Sequence, residues 1–308
     1  MEYDFYTTDV FTNTAFEGAQ IAVIPNALGL DNNLMQKVAN EFNLSETVFV
    51  FPSDQKSVTH RMKIFSPSGE VEFAGHPIIA TAFVLVSIGE ISLNTNHTKF
   101  VLEQNNGPIT VNVSEEKNKP LLIQFTLNPE SIVDRFVPRE HEIADFLSLN
   151  INDIETKKYQ AMMVSCGFPY MIIPLNSYEA VREAKFNYGA WSQTIAPSSS
   201  AQEILLFSNR TTNVSSDFHG RLVGPSIGIH EDPPIGSSVP AFASYLCSQE
   251  SVRTGTYTFA IDRGTESNRR SLIHIEMDNK LNRHLTIRVG GEAVMVSKGK
   301  MNIPVTAV

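Results

Sequence analysis

One helix constrains this chain more than any other stretch. After Gly75-His76-Pro77 come Ile78, Ile79, Ala80, Ala82, Phe83, Val84, Leu85, Val86 and Ile88, and Gly89 ends the run. A helix that is apolar on every side must be buried on every side, so the fold has to wrap something around it. Gly75 is conformationally permissive, and Pro77 falls in the first turn, where its missing N–H costs nothing. The first-turn N–H groups beside His76 offer a place for a carboxylate or another anion. The stretch from Arg61 to Ala82 therefore reads as the floor of an active site.

The chain does this twice. His76-Pro-Ile-Ile-Ala-Thr-Ala82 lines up without gaps against Asp232-Pro-Pro-Ile-Gly-Ser-Ser238. Upstream, Pro67-Ser68 is matched by Pro225-Ser226, and Arg61 by Arg221 with a gap of one or two residues. Each copy has a titratable residue, a proline, a small hydroxyl-bearing residue and a helix. This implies two pseudo-symmetric halves whose helix N-termini face each other across one cleft.

Composition narrows the function classes. Lys+Arg 24 against Asp+Glu 33 gives a formal charge of -9 over 308 residues, scattered rather than in blocks. No basic run interleaved with aromatics points to nucleic acid. The longest apolar run, Pro77 to Ile88, is too short to span a bilayer. Met1 leads directly into a strand-like segment without a signal peptide, so the expectation is a cytoplasmic protein with no membrane partner. Cys166 and Cys247 read as buried free thiols.

In chain order, Gly18 lies in a loop before the strand around Ile21, and Asp31 caps a helix from Asn32 to about Phe42. Glu46 sits where a loop becomes a strand. Ser57 to Ser66 alternates as a strand, and short strands follow at Ile91 to Leu93, Phe100 to Leu102, Ile109 to Val113 and Leu121 to Leu127. Asn128 opens a less regular stretch. Helices are expected over Glu140 to Leu149, Ser177 to Phe186 and Pro233 to Leu246. Strands are expected at Ala161 to Val164, Tyr170 to Leu175, Glu203 to Phe207, Phe218 to Val223, Thr256 to Ile261, Leu272 to Glu276, Leu285 to Val289 and Ala293 to Val296. Gly290-Gly291 reads as a turn between strands. Many short strands around one apolar helix per half make an α+β fold of two barrel-like units, each with an axial helix.

The titratable residues at turns beside the two helices are Glu46, His76, Glu231 and Asp232, with His230 close to the second turn. His60, His97, His141, His219, His274 and His284 read as surface imidazoles. The chain contains no HxH, HExxH or CxxC pairing, no Gly-rich phosphate loop and no GxSxG elbow. What remains is acid–base chemistry with no metal or organic cofactor. A carboxylate in a closed, largely apolar cleft has its pKa raised towards neutrality and can both take and return a proton. Such a site moves a proton between carbons of a small acid.

Several separated motifs, in order and in register over nearly the whole chain, resemble the PhzF-like phenazine biosynthesis family. They are Asn43-Leu-Ser-Glu-Thr-Val-Phe-Val50, Arg61-Met-Lys-Ile-Phe-Ser-Pro67, Glu72-Phe-Ala-Gly-His-Pro77, Gly228-Ile-His-Glu-Asp-Pro-Pro-Ile-Gly-Ser237 and Arg288-Val-Gly-Gly291. The resemblance implies a diaminopimelate-epimerase-like fold: an N-terminal barrel over 1–128 completed by about 291–308, a C-terminal barrel over 129–290, and a site between them. It implies that Glu46 is the acid–base residue, shuttling a proton as in isomerisation of trans-2,3-dihydro-3-hydroxyanthranilate. His76 and Asp232 complete the catalytic set, at the positions where the epimerases of this fold carry two thiols. Gly75, Gly236, Ser237 and Gly18 would bind a small carboxylate-bearing substrate. It also implies a homodimer that needs no cofactor.

The family usually reads Asp-Pro-x-Thr-Gly-Ser-Ala at the second turn, where this chain has Ile235 and Ser238. Near the start it often has Gly-Asn, where this chain has Gly18-Ala19. Two alternatives stay open: an amino-acid or hydroxy-acid epimerase using His76 and Asp232, and a catalytically inactive small-molecule-binding or interaction protein.

Overall fold

The computed structural model describes residues 1–93, 95–115, 121–199, 201–228, 232–249, 252, 254–265, 268–280 and 285–304. In chain order its first elements are β1 (Glu2–Val10), β2 (Ala19–Ile24), α1 (Asn32–Phe42), β3 (Glu46–Pro52), β4 (His60–Ser66), β5 (Gly69–Val71), α2 (Gly75–Ser87), β6 (His97–Gln104), β7 (Gly107–Ser114) and β8 (Leu122–Leu127). There follow β9 (Ile132–Asp134), α3 (Glu140–Leu147), β10 (Met162–Ser165), β11 (Pro169–Pro174), α4 (Tyr178–Glu183), α5 (Tyr188–Trp191), β12 (Glu203–Ser208) and β13 (Phe218–Val223). The last are a 3-10 turn (Gly236–Ser238), α6 (Val239–Cys247), β14 (Gly255–Thr265), β15 (Asn268–Asn279), β16 (Thr286–Gly291) and β17 (Ala293–Asn302). They form two compact units, Met1–Thr126 with Val289–Val308, and Leu127–Arg288.

In the first unit α2 is buried almost throughout its length, from Gly75 to Leu85 with only Phe83 partly exposed. It packs against β1, β2, β3, β7 and β17. Ile78, Ile79, Val84 and Leu85 have no exposed surface, and each contributes about 1.5–3 kcal/mol on burial. The strands close around it: β17 pairs with β1, β8 with β16, and β16 runs through Glu292 into β17. Outside this ring α1 starts where Asp31 accepts a hydrogen bond from the Leu34 N–H at 2.8 Å. Met35, Val38 and Ala39 of α1 pack with Ile24, Phe49 and Phe65.

In the second unit α6 packs against β10, β11 and β15. These strands lie towards opposite ends of the strand order, so the sheet curls round the helix. Phe242 of α6 meets Phe207, Phe218 and Phe259 edge-on, with ring centroids 4.9, 5.2 and 6.0 Å apart. Such pairs contribute about 0.5–1.5 kcal/mol beyond their area. A separate cluster joins Ile143, Phe146 and Trp191 to Ile173 and Leu206.

The duplication is visible in the strand pairing. From β1 to β7, omitting the short β5, successive neighbours pair antiparallel, parallel, antiparallel, parallel, antiparallel. From β10 to β15 the same alternation repeats. The registers also match. Ile21 opposite Glu46 corresponds to Tyr170 opposite Glu203, and Thr47 opposite Phe65 to Ile204 opposite Val223. Carried along β4 and β13, this makes His60 equivalent to Phe218. The independent parallel pairs agree, His60 with Leu102 and Phe218 with Ile261. Arg61 is therefore equivalent to His219, which corrects the sequence match of Arg61 with Arg221.

Other expectations are corrected too. The second helix does not run from Pro233. A 3-10 turn begins at Gly236 and α6 at Val239, because each of Pro233 and Pro234 disfavours helical backbone in the residue before it. Gly290-Gly291 is no turn but the buried end of β16. A Cβ on Gly290 would lie 2.4 Å from Gln124 Cγ, and one on Gly291 2.5 Å from Phe11 Cδ1. Residues 57–59 precede β4, and Ile91 to Leu93 is not a strand.

Candidate active site

Glu46 is the first residue of β3, reached from α1 through the left-handed Asn43, whose N–H caps the helix at Ala39 O. His76 is in the first turn of α2. The two topological positions meet: His76 Nε2 and Glu46 Oε2 are 2.5 Å apart, with side chains 3% and 15% exposed. The other imidazole nitrogen, Nδ1, is buried without a protein partner. Ala74 at the N-cap has no side chain able to accept from the helix, so Gly75 and His76 present first-turn N–H groups with no side-chain cap. Gln104 Nε2 donates to Ala74 O at 3.3 Å and holds this turn from β6.

The expectation of a raised Glu46 pKa is corrected. Burial pushes the carboxyl up, but the charge of His76, its hydrogen bond and the Ser45 hydroxyl together outweigh burial and leave it below its ordinary value. The apolar-cleft argument omitted the imidazole as a charge partner. Glu46 is thus held as a carboxylate.

Gly18 has φ +68°, and a Cβ there would lie 2.3 Å from Val10 O. Backbone geometry alone therefore demands glycine at that position. Ala19 and Ile235, where the chain departs from the family pattern, are each 1% exposed. They fill core rather than line an open surface.

In the second unit Asp232 lies ahead of the 3-10 turn that carries Gly236 and Ser237. Its Oδ2 accepts from Arg182 Nη1 at 2.7 Å, and Oδ1 is 3.5 Å from Arg263 Nε, with the Asp232 side chain 3% exposed. Burial pushes the Arg263 guanidinium down; Asp232 pulls it back up, and Arg182 and Arg269 push it down again. Arg221 Nη1 donates to the carbonyls of Arg182 and Ala184 at 3.0 and 2.9 Å, fixing the chain end of α4. Glu231 and His230, also considered from sequence, lie outside the described residues, as does His284.

Of the expected site residues, Glu46, His76 and Gly75 come together in the first unit, and Asp232, Gly236 and Ser237 follow one another in the second. His219, expected on the surface, is fully buried against Asp262 at 3.1 Å. Cys166 and Cys247 are free thiols, half-buried rather than buried; burial pushes Cys247 up to about 11. Glu203 opens β12 opposite Tyr170 as Glu46 opens β3 opposite Ile21. Among the described residues no group of three His, Cys, Asp or Glu could hold a metal ion, and no helix is long and apolar enough to cross a membrane.

The strand pairing defines an α+β fold with an internal duplication, and its first unit sets a carboxylate–imidazole pair at the start of a buried helix. The chain belongs to the phenazine biosynthesis-like protein family, whose profile matches residues 8–299. An uncharacterized isomerase of Mesorhizobium japonicum is 34% identical, covering 96% of this chain and 97% of that protein. The trans-2,3-dihydro-3-hydroxyanthranilate isomerase of Pseudomonas fluorescens is 23% identical, covering 96% and 98%. The crystal structure of a Bacillus anthracis phenazine biosynthesis protein of the PhzF family superposes with a TM-score of 0.86 at 21% identity, covering 98% of this chain and 100% of that one. The fold is of the diaminopimelate-epimerase-like class, and the chain is a member of an isomerase family.

Proposed function

We propose that this protein is a cofactor-independent isomerase that moves a proton between carbons of a small carboxylate-bearing molecule, with Glu46 as general acid and base. The observation that carries the reading is the 2.5 Å contact between Glu46 and His76 at the start of α2. Glu46, ionised, accepts a proton from an acidic C–H and becomes neutral. It then returns that proton to a carbon further along the conjugated system, so atoms and charge balance. His76 holds the carboxylate in place and compensates its charge, and the Gly75 and His76 N–H groups offer hydrogen bonds to a substrate carboxylate.

The epimerase reading, with Asp232 as a second proton carrier, is less favoured. Both Asp232 oxygens face guanidinium groups, so carrying a proton would break a buried ion pair. Asp232 is better suited to orienting the arginines around it.

The test is exchange in deuterated water with trans-2,3-dihydro-3-hydroxyanthranilate and a panel of small amino and hydroxy acids. Wild type is expected to convert its substrate and to place deuterium on carbon to the extent that the protonated Glu46 exchanges with solvent before it returns its proton, and Glu46→Gln to lose turnover by about 10²–10⁴-fold with substrate binding retained. Retained turnover in that variant would falsify the assignment.

A further inference from the structure

Two strands of the first unit hold the first turn of α2, one on each side of β4. β3 pairs antiparallel with β4, and β4 pairs parallel with β6. From β3, Glu46 meets the His76 imidazole at 2.5 Å. From β6, Gln104 Nε2 donates at 3.3 Å to the carbonyl of Ala74, the N-cap residue of the same helix. The turn Ala74-Gly75-His76 is therefore held at its main chain by one strand and at its side chain by the other. Gln104 lies in none of the sequence motifs that carry the family resemblance.

Gln104 is 3% exposed, and its backbone is fixed opposite Gly107 where β6 turns into β7. Its other amide atom, Oε1, is buried without a hydrogen-bond partner among the described residues. A buried amide with one end unpaired carries a cost that a methionine of similar length would not, so what the amide supplies at this place is the N–H to Ala74 O. That bond also sets the orientation of the amide: turned over, Oε1 would face Ala74 O, acceptor against acceptor.

The start of the helix gives the bond a consequence. An ordinary N-cap side chain fixes the first turn by accepting from its N–H groups and so occupies them. Ala74 makes no such side-chain bond. Gln104 fixes the turn through its carbonyl instead, which leaves the first-turn N–H groups without a side-chain cap. A shift of this turn would carry His76 with it while Glu46 stayed on β3, so the carboxylate–imidazole geometry depends on Gln104.

We propose that Gln104 is a positioning residue for the Glu46–His76 pair: by holding the Ala74 carbonyl it sets where the imidazole stands against the carboxylate, without occupying the N–H groups of the turn. This rests on the reading of that pair as the proton-transfer site.

The experiment uses the full chain in the same assay, with wild type, Gln104→Met, Gln104→Glu and Glu46→Gln. Nitrogen-15 spectra of the His76 imidazole and thermal unfolding run in parallel. Gln104→Met keeps the length of the side chain and loses the donor; Gln104→Glu keeps its shape and, ionised, loses the donor too. Each should lower kcat by about 10²-fold, the effect of a misplacement of roughly 1 Å, with KM changed less than kcat. Gln104→Met should also move the His76 Nε2 resonance from its wild-type position. A lower Tm with kcat and the resonance of the folded variant as in wild type makes Gln104 merely structural and overturns the inference. Wild-type kcat in Gln104→Glu with loss in Gln104→Met overturns it as well, since shape rather than the donated N–H would then matter. Turnover kept in Glu46→Gln, with the resonance moved by Gln104→Met, overturns the acid–base role of Glu46 and leaves the positioning of His76 standing. The spectra need no substrate, so with a wild type that converts nothing in the panel the resonance alone decides. Should neither Gln104 variant fold, exchange in wild type decides: one protected Gln104 side-chain amide proton supports the inference, and two freely exchanging ones overturn it.

Discussion

The two units solve one problem in two ways. Each buries a helix inside a curled sheet of alternating parallel and antiparallel strands, and each must deal with charge at the start of that helix. In the first unit a single carboxylate meets a single imidazole at 2.5 Å. In the second, one carboxylate, Asp232, is shared by Arg182 and Arg263, while Glu203 sits apart beside Tyr170. A carboxylate with one titratable partner can trade protons. A carboxylate between two guanidiniums has no such partner, because an arginine does not give up its proton. The same scaffold therefore holds its buried carboxylate against an imidazole in one half and beside two guanidiniums in the other.

The comparison is broken most sharply by removing the imidazole. His76→Asn takes away the charge and the hydrogen bond that outweigh burial at Glu46, so the carboxyl should rise instead of fall. Turnover should drop by about 10²–10⁴-fold near neutral pH, and the acid limb of the pH profile should move upward. The stability sign follows. In wild type the folded Glu46 lies below its unfolded value, so the pair's stabilisation is complete above about pH 4.3 and is lost as pH falls through the folded value. In His76→Asn burial dominates, the sign reverses, and the variant should gain relative stability on acidification. Urea midpoints of both proteins across pH 3 to 7, an interval of roughly the carboxylate range, check this. Parallel curves would remove His76 as the charge partner.

The second unit should fail differently. Asp232→Asn leaves Arg182 and Arg263 facing one another without their shared anion, and Arg263 is 5% exposed at its side chain. Breaking a buried pair in this way costs about 3–5 kcal/mol. The expected outcome is a large fall in the denaturation midpoint. If Asp232→Asn instead kept its stability and lost only turnover, the epimerase reading would regain ground.

Much of this contrast was legible in the sequence, and the reasons for the remainder are specific. The apolar run after Pro77 required a buried helix, and α2 is one. Asp31 announced α1, and the Leu-Ser-Glu-Thr motif placed Glu46 at the mouth of a strand. What the sequence could not give was pairing across space. Nothing in the order of residues shows that Glu46 Oε2 reaches His76 Nε2, and that contact reverses the direction of the carboxyl's pKa. The arginines on Asp232 come from α4 and β14, which lie far from it in the chain. The duplication was matched at Pro77 and Pro233 because prolines are conspicuous, yet Pro233 precedes any helix. Strand register, which hydrophobic alternation leaves unstated, shows instead that the equivalent residues are Glu46 and Glu203.

The smallest effect tests whether the likeness of the two units extends to the helices that cross between their parallel strands. α1 joins β2 to β3, and α4 lies between β11 and β12. Asp31 Oδ1 accepts from Leu34 N–H at 2.8 Å, and Ser177 Oγ accepts from Ala180 N–H at 3.0 Å. Each is an N-cap bond contributing about 1 kcal/mol. Asp31→Ala and Ser177→Ala should therefore each lower Tm by about 2–4 °C and leave turnover unchanged, since neither side chain touches the glutamates. The Ser177 variant has a further consequence. α4 carries Arg182 and ends on Arg221, so fraying its first turn loosens the arginine that holds Asp232. If the units are energetically alike, the two Tm shifts match. If the charge cluster depends on α4, Ser177→Ala costs more than Asp31→Ala, although α1, with the longer span Asn32–Phe42, has more helix to lose.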